Sequence, residues 1–261
     1  MPASSPAVVL QEGVVDALGR EIVAGSAEPG GRYTLEEIQD RFGISRTVAR
    51  DAMRSLESLG LVESRRRVGL SVRTQRHWNL HHPRVIRWRL EGGSRAAQYR
   101  ELAELRIAVE PMAAACAARR ADAPTRIRLR ELAAELRDLG AAGDLDGFLR
   151  TDVEFHALLL NASGNAMFAS LDEIVAEVLA GRVAGGVMPF HPTARALDAH
   201  TGLAEAVAGG DAATAERLAR EVVGEVRDAL VSGLDPLGDA PGAQGGDRLD
   251  SARRIAGTHE H

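Results

Sequence analysis

The spacing of apolar residues predicts that the chain begins with helices. Residues 11–24 carry apolar side chains every three or four positions, as on one face of a helix. The sequence TLEE then predicts a capping box, in which Thr34 is the N-cap of a second helix and Glu37 bonds back to it. Gly43 is suited to the left-handed turn that ends such a helix.

A third helix and a hairpin follow. Ser45 can cap a helix over residues 46–59, and Gly60 can end it. The stretch LVESRRRVGLSV, residues 61–72, has the β-branched flanks and the central glycine of a short hairpin. Helix, turn, helix and hairpin in this order predict a winged helix-turn-helix domain, which we place at residues 11–75.

Helical spacing also dominates the second half of the chain, where no strand alternation competes with it. Turn-rich stretches separate long predicted helices at residues 97–121, 124–141, 145–161, 166–185, 193–208 and 211–234. A linker with both tryptophans spans residues 76–95, and residues 1–10 and 235–261 are predicted to be disordered. The predicted fold is mainly α, with the winged domain followed by an all-α helical bundle over residues 96–234.

The charged residues are unevenly distributed along the chain, so the negative net charge does not exclude a surface that binds nucleic acid. The net charge is -5, but residues 41–100 contain 14 arginines and 4 acids and carry +10. Residues 1–40 carry -5 and residues 101–261 carry -10. Positive charge concentrated in one segment, which begins within the predicted winged domain, is the pattern expected of a surface that binds nucleic-acid phosphate.

The third predicted helix carries arginines along one exposed stripe. Arg46, Arg50 and Arg54 are each four residues apart, so their side chains lie on the same side. A helix-turn-helix presents the start of its second helix to the major groove, where arginine binds phosphate or guanine. The alternative is a solvated arginine face on an ordinary helix. The residues expected to contact DNA are Ser45, Arg46, Thr47, Arg50, Arg66 and Gly69.

These motifs resemble a known family. GGRYTLEEIQDRFGISRTVARDAMRSLESLGLVESRRRVGLSV is similar to the DNA-binding domain of GntR-family bacterial transcription regulators, and the likeness covers residues 11–74. It implies that Ser45, Arg46, Thr47 and Arg50 contact DNA and that Gly69 lies in the wing. Glu36 occupies a place where some members have a DNA-contacting arginine.

The second half resembles the helical effector domain (FCD domain) of the FadR branch of that family. The likeness rests on LRIAVEPMAAACAARRA, DVEFHALLLNASGN and HTGLAEAVAGGDAATAERLAR, between residues 102 and 220. The segment HWNLHHPRVIRWRLEGG is similar to that of members which regulate sugar-acid catabolism. The resemblance implies a domain that dimerises and binds a small acidic metabolite.

Three residues of this half are candidate metal ligands. Asp152 and His156 are four residues apart on one predicted helix, and His200 lies on a later helix. One carboxylate and two imidazoles suit Zn, Ni, Fe or Mn. The alternative for Asp152 and His156 is a simple ion pair, and for His200 a capping or surface histidine.

The resemblance adds a fourth expected ligand that this chain lacks. Many members of the branch have another histidine on the last helix, where this sequence has Val222, or Glu221 in a shifted alignment. The ligand set is therefore incomplete. Arg106 lies among apolar neighbours and could bind an effector carboxylate, or it could pair with Glu110 one turn away.

Together these features predict a dimeric, one-component transcription regulator, more specifically a repressor of a metabolic operon. A small carboxylate or sugar acid, bound by Arg106, Asp152, His156 and His200, would release it from its DNA operator. One alternative is a metal-dependent hydrolase or lyase that uses Asp152, His156 and His200, although no catalytic signature accompanies them. Another is an architectural DNA-binding protein without an effector.

The composition of the chain is consistent with this prediction. The single cysteine, Cys116, excludes an intramolecular disulfide. Apolar stretches such as HALLLNA are too short to span a bilayer, and the first ten residues lack the blocks of a secretory signal. The expected location is the cytoplasm.

Overall fold

A computed structural model describes residues 6–65, 69–93, 95–184 and 192–234, with side chains up to residue 224. Its N-terminal elements are α1 (Pro6–Val23), β1 (Arg32–Tyr33), α2 (Leu35–Phe42), α3 (Arg46–Ser58), β2 (Val62–Arg65) and β3 (Gly69–Val72). A short 3-10 turn, Gln75–His77, and α4 (Pro83–Glu91) follow. The C-terminal helices are α5 (Arg95–Arg120), α6 (Ala123–Ala142), α7 (Leu145–Ala162), α8 (Ala166–Ala169), α9 (Asp172–Ala184), α10 (Ala194–Gly209) and α11 (Ala212–Leu234).

The N-terminal elements form a winged helix-turn-helix, as the sequence predicts. The capping box is present: the Thr34 hydroxyl accepts from the Glu37 amide at 3.1 Å, and the Glu37 carboxylate accepts from the Thr34 amide at 2.8 Å. Strands β1, β3 and β2 pair antiparallel in that order, and Leu70 of β3 lies opposite Tyr33 of β1. The two-residue strand β1 has no periodic signal of its own, which is why the sequence did not predict it.

Two glycines fix the path of the chain around the β2–β3 hairpin, which we call the wing. Gly60 has φ 74°, and a Cβ atom there would lie 2.1 Å from the carbonyl oxygen of His77. Gly69 has φ 94°, and a Cβ atom there would lie 2.5 Å from the carbonyl oxygen of Tyr33. Both positions combine a left-handed backbone with a close approach of another chain segment, so only glycine fits without strain.

The C-terminal elements form a helical bundle around a core of leucine, phenylalanine and alanine side chains. Long helix α5 packs against α11, α7 and α10, while α6 packs against both α7 and α10. Alanines from α5 and α11, such as Ala114 and Ala219, let these helices approach closely around Phe155 and Leu159 of α7. This packing brings α5, α7 and α10 to the centre of the bundle, where the polar site lies.

Helix α4 belongs to the packing of both halves. Its Val85 and Trp88 side chains lie in the N-terminal core, while Ile86 and Leu90 pack with residues of α5 and α9. Both sets are buried, with Trp88 only 2% exposed. The predicted linker is therefore not only a connection, since it contains a helix that holds the two halves against each other.

The structure corrects several predicted boundaries. Helix α1 begins at Pro6, so residues 6–10 are helical and not disordered as the sequence suggested. The helix predicted over residues 166–185 is two helices: α8 ends at Ala169, and its C-cap Ser170 donates from the hydroxyl to the Met167 carbonyl at 3.0 Å. The predicted tail, residues 235–261, lies outside the described residues. Among those described, no helix has the length and apolarity needed to cross a bilayer.

Candidate functional site

The N-terminal turn of α3 forms an exposed polar surface. The Ser45 side chain accepts from the Val48 amide at 3.3 Å and caps the helix, as predicted. Ala49, Ala52 and Leu56 turn to the core and are fully buried. The opposite face is therefore left to solvent, and it carries the exposed residues Ser45, Arg46, Thr47 and Arg50.

The arginines of α3 differ in their surroundings. Arg54 lies 3.5 Å from the Asp51 carboxylate, whereas Arg46 and Arg50 form no ion pair with any described residue. Their guanidinium groups are thus available to an external acceptor. Gly69 lies at the start of β3 in the wing, while Arg66 falls outside the described residues. Glu36 is exposed on α2.

A second polar site lies buried in the helical bundle. Asp152 and His156 of α7 meet His200 of α10 there, and Arg106 and Glu110 of α5 complete the group, which we call the polar cluster. Each of the five residues is at most 6% exposed. The structure thus brings together all four residues that the sequence predicted for an effector pocket.

Hydrogen bonds fix the orientation of both imidazole rings. His156 donates from Nδ1 to the Glu110 carboxylate at 2.7 Å, and His200 donates from Nδ1 to the Ala196 carbonyl at 2.8 Å. Each bond leaves Nε2 of the ring directed towards Asp152 Oδ1, at 3.5 Å from His156 and 3.3 Å from His200. The Phe155 ring packs edge-on against both imidazoles and limits their rotation. Both Nε2 atoms therefore converge on one carboxylate oxygen.

The charges of the cluster are coupled. Burial and Arg106 would lower the pKa of His156, but the carboxylates of Glu110 and Asp152 together outweigh them and the pKa rises to about 9. Burial would raise the pKa of Glu110, yet Arg106 and His156 lower it to about 2. The imidazoles likewise hold the pKa of Asp152 well below its usual range against the effect of burial. Without a ligand, two cationic and two anionic groups neutralise one another.

Arg106 forms the ion pair with Glu110 that the sequence offered as one of two alternatives. Its Nε and Nη2 atoms bond to the Glu110 carboxylate, and Nη2 also lies 3.3 Å from His156 Nε2. The remaining Nη1 atom is buried and has no hydrogen-bond partner among the described residues. A buried guanidinium N–H without an acceptor is costly, so this atom is suited to an anionic ligand.

The donor set fits a metal ion with three protein ligands. One ligand atom from each of Asp152, His156 and His200 lies within 4.8 Å of the other two. Asp152 Oδ1 and His200 Nε2 are buried without a hydrogen-bond partner among the described residues, as expected of atoms arranged for coordination. A carboxylate with two imidazoles suits Zn, Ni, Fe or Mn, with open positions for water or an effector oxygen.

The last helix supplies no fourth ligand in the described part of the chain. Val222 is buried, with 5% of its surface exposed. Glu221 lies on the outside, where it pairs with Arg217 at 2.8 Å, so it does not replace the missing histidine. Glu110 is the residue whose role the sequence missed, because only its spacing from Arg106 was visible there. Its contact with His156 depends on how α5 packs against α7.

Comparisons with known proteins agree with this arrangement. Residues 10–72 match the family described as bacterial regulatory proteins, gntR family, and residues 101–225 match the FCD domain. The galactonate operon transcriptional repressor of Escherichia coli K12 is 31% identical over 160 residues, covering 60% of this chain and 69% of that protein. The uncharacterized HTH-type transcriptional regulator YieP of the same organism is 27% identical over 175 residues, covering 65% and 76%.

A solved structure shares the fold. Lar, described as controlling the expression of the Listeria monocytogenes agr system, is 16% identical with a TM-score of 0.56, covering 89% of this chain and 99% of its own. The matches to the gntR family and to a transcriptional repressor define the class of protein as a DNA-binding transcription regulator. The chain belongs to the GntR family, with a C-terminal FCD domain. This membership sets aside the alternative of a hydrolase or lyase.

Proposed function

We propose that this regulator represses a metabolic operon and is released from its operator by a small carboxylate or sugar acid. The observation that carries the proposal is the buried convergence of Arg106, Asp152, His156 and His200 in the helical domain. A structural core has no need of four ionisable groups at one point, and burying them is costly unless they are paired. The relative whose name gives its role is a galactonate operon repressor, which supports a sugar acid as the effector class.

The residues that would hold a divalent metal are Asp152, His156 and His200. Bound there, a metal would supply a Lewis acid for one effector carboxylate oxygen. Arg106 Nη1 offers a second contact to the same kind of group from the side of α5. Glu110 holds the His156 ring through Nδ1 at 2.7 Å and neutralises the rest of the Arg106 guanidinium. The chain would thus recognise an anion through fixed donors.

Effector binding at the buried polar cluster would rearrange the side chains and helices around it. Because Arg106 and His156 are each only 2% exposed, an effector must displace surrounding side chains to reach them. Helix α7, which carries His156, packs against α9, and α9 packs against α4. Arg87 of α4 donates to Glu177 of α9 at 3.0 Å. Since α4 is also part of the N-terminal core, a shift of α7 and α9 would move the DNA-binding domain.

We further propose that the regulator acts as a homodimer through its helical domain. A helix-turn-helix dimer matches its two-fold axis to an operator with two half-sites, and one isolated domain would make few contacts. Light scattering at micromolar concentration is expected to give twice the monomer mass for the full chain. A monomer that nevertheless binds a selected operator tightly would contradict this expectation.

A thermal-shift screen of sugar acids and small carboxylates tests the effector. We expect one class of acids to raise the unfolding temperature, because a ligand that binds only the folded state stabilises it. The screen is run with and without a chelator, and the acids that stabilise the protein are then tested for release of DNA. Arg106→Ala is expected to lose the stabilisation. No response to any acid, or the same response in Arg106→Ala, would contradict the proposed pocket.

A further inference from the structure

The outer face of the wing sheet is a second positively charged surface. Leu70 and Val72 of β3 are buried in the N-terminal core, so Ser71 between them faces the other way. Arg32 of β1 and Glu63 of β2 lie directly opposite Ser71 in the register. These side chains therefore share the face that points away from the core, and the residues two positions along, such as Arg65, lie on it as well.

This face borders an open groove of about 440 Å³. Its charged lining consists of four arginines and one carboxylate: Arg32, Arg65, Arg73, Arg76 and Glu63. Residues of the turn that follows β3, including Thr74 and His77, also line the groove. With the histidine neutral, the lining carries a net charge of +3. Pro29 and Val72 are the only clearly apolar side chains among the described lining residues, so the groove does not resemble a site for an apolar ligand.

Three of the four arginines in the groove lack the ion pairs that most other described arginines of the N-terminal half form. Arg20, Arg41 and Arg84 each form an ion pair with a glutamate of the same half. Arg65 is also taken, since it donates to Glu63 at 2.8 Å. In contrast, Arg32, Arg73 and Arg76 form no ion pair with any described residue. Three guanidinium groups thus line the groove without an ion-pair partner among the described residues.

The single acid in the groove does not cancel this field. Its hydrogen bond with Arg65, with further contributions from Arg73 and His77, holds the pKa of Glu63 below its ordinary value. The carboxylate therefore stays ionised and remains engaged by Arg65. The positive charge on Arg32, Arg73 and Arg76 is left for an external anion.

We propose that this groove, through Arg32, Arg73 and Arg76, binds backbone phosphates of duplex DNA beside the bases that α3 contacts. The inference rests on the DNA-binding function of the family and adds a second contact surface to it. Charge complementarity favours phosphate over a protein or an apolar ligand, and arginine forks match phosphate oxygens. The groove is continuous with the wing, because Arg65 and Gly69 form the last pair of the same hairpin. Phosphate contacts there would add affinity and orientation without base preference.

The test is the salt dependence of DNA binding by the full chain. A fluorescein-labelled, mixed-sequence 30-base-pair duplex (roughly three helical turns) is titrated at several NaCl concentrations, and binding is followed by anisotropy. Each phosphate contact contributes about 0.9 to the slope of log K against log salt concentration. The double variant Arg73→Ala/Arg76→Ala is therefore expected to reduce the slope by about 2 for each DNA-bound domain. Adding Arg32→Ala is expected to reduce it by about 1 more.

A matched control removes the same charge elsewhere. Arg119 of α5 and Arg150 of α7 are exposed and form no ion pair with described residues, so Arg119→Ala/Arg150→Ala lowers the net charge equally. A slope unchanged from wild type in Arg73→Ala/Arg76→Ala, or changed only as much as in the control, overturns the inference. Wild-type protein that binds no duplex at low salt would overturn the DNA-binding function itself. Loss of binding in Arg46→Ala with a normal slope in the groove variant would overturn the groove alone.

Discussion

Replacement of Arg46 or Arg50 by alanine is expected to weaken operator binding by about 1–3 kcal/mol for each residue. That loss corresponds to roughly a 5- to 150-fold increase in Kd. Both side chains extend from the first two turns of α3, and both are exposed without an acidic partner among the described residues. A bidentate contact of arginine with guanine or phosphate accounts for an effect of this size.

The same helix provides a matched control for this prediction. Arg54 lies one turn beyond Arg50 and already pairs with Asp51 at 3.5 Å, so Arg54→Ala is expected to change Kd much less. The operator is first selected from random-sequence duplexes with the wild-type protein, and Kd is then measured by gel shift at two salt concentrations. If both Arg46→Ala and Arg50→Ala bind as wild type does, α3 is not the helix that reads the operator.

The local elements of the N-terminal domain could be predicted because each has a signal within a few residues. Thr34, Glu37 and Gly43 set both ends of α2, and the observed helix has the predicted bounds. Ser45 caps α3 through a contact only three residues along the chain. Such signals act within one turn, so they do not depend on the rest of the fold.

Features that depend on packing between distant segments could not be predicted in the same way. The pairing of β1 with β3 joins Arg32 to Ser71, and two residues carry no periodicity that would reveal it. The role of α4 in both cores was hidden because its apolar side chains point to two different neighbours. The break after Ala169, where Ser170 caps α8 and its hydroxyl donates to the Met167 carbonyl, lies within a stretch whose apolar spacing is that of one helix.

The candidate site also combines residues that local spacing predicts with residues whose positions depend on packing between distant segments. Asp152 and His156 are one helical turn apart, so their shared face follows from spacing alone. His200 lies beside them only because α10 packs in the matching axial position within the bundle. In the sequence, only the resemblance to the family suggested that His200 belongs to the site. The contact between Glu110 and His156 was not suggested by either source. It joins α5 to α7 across 46 residues of sequence and places a carboxylate behind a candidate metal ligand.

Removal of a candidate ligand is expected to have the largest effect on metal binding. Asp152→Asn, His156→Ala and His200→Ala each leave two of three protein ligands, and we expect no stoichiometric binding at micromolar Zn²⁺. Binding is measured by competition with a chelating dye, beside elemental analysis of wild-type protein purified without added metal. If all three variants bind as wild type does, the cluster is not the metal site. If wild type binds no metal but effector-induced release requires His156 and His200, the pocket works without one.

Substitution of Glu110 is expected to weaken the same site without removing a ligand. Glu110 accepts from His156 Nδ1 at 2.7 Å and so keeps Nε2 directed towards Asp152, and loss of such a supporting bond typically lowers metal affinity about 10- to 100-fold. Glu110→Gln keeps the size of the side chain but removes its charge, and Glu104→Gln makes the same change at an exposed position of α5. The affinity for Zn²⁺ and the absorption spectrum of bound Co²⁺ are compared for the two variants and wild type. A Glu110→Gln protein with wild-type affinity and spectrum would show that the other contacts of His156, with Phe155, Asp152 and Arg106, hold the ring without the Glu110 charge.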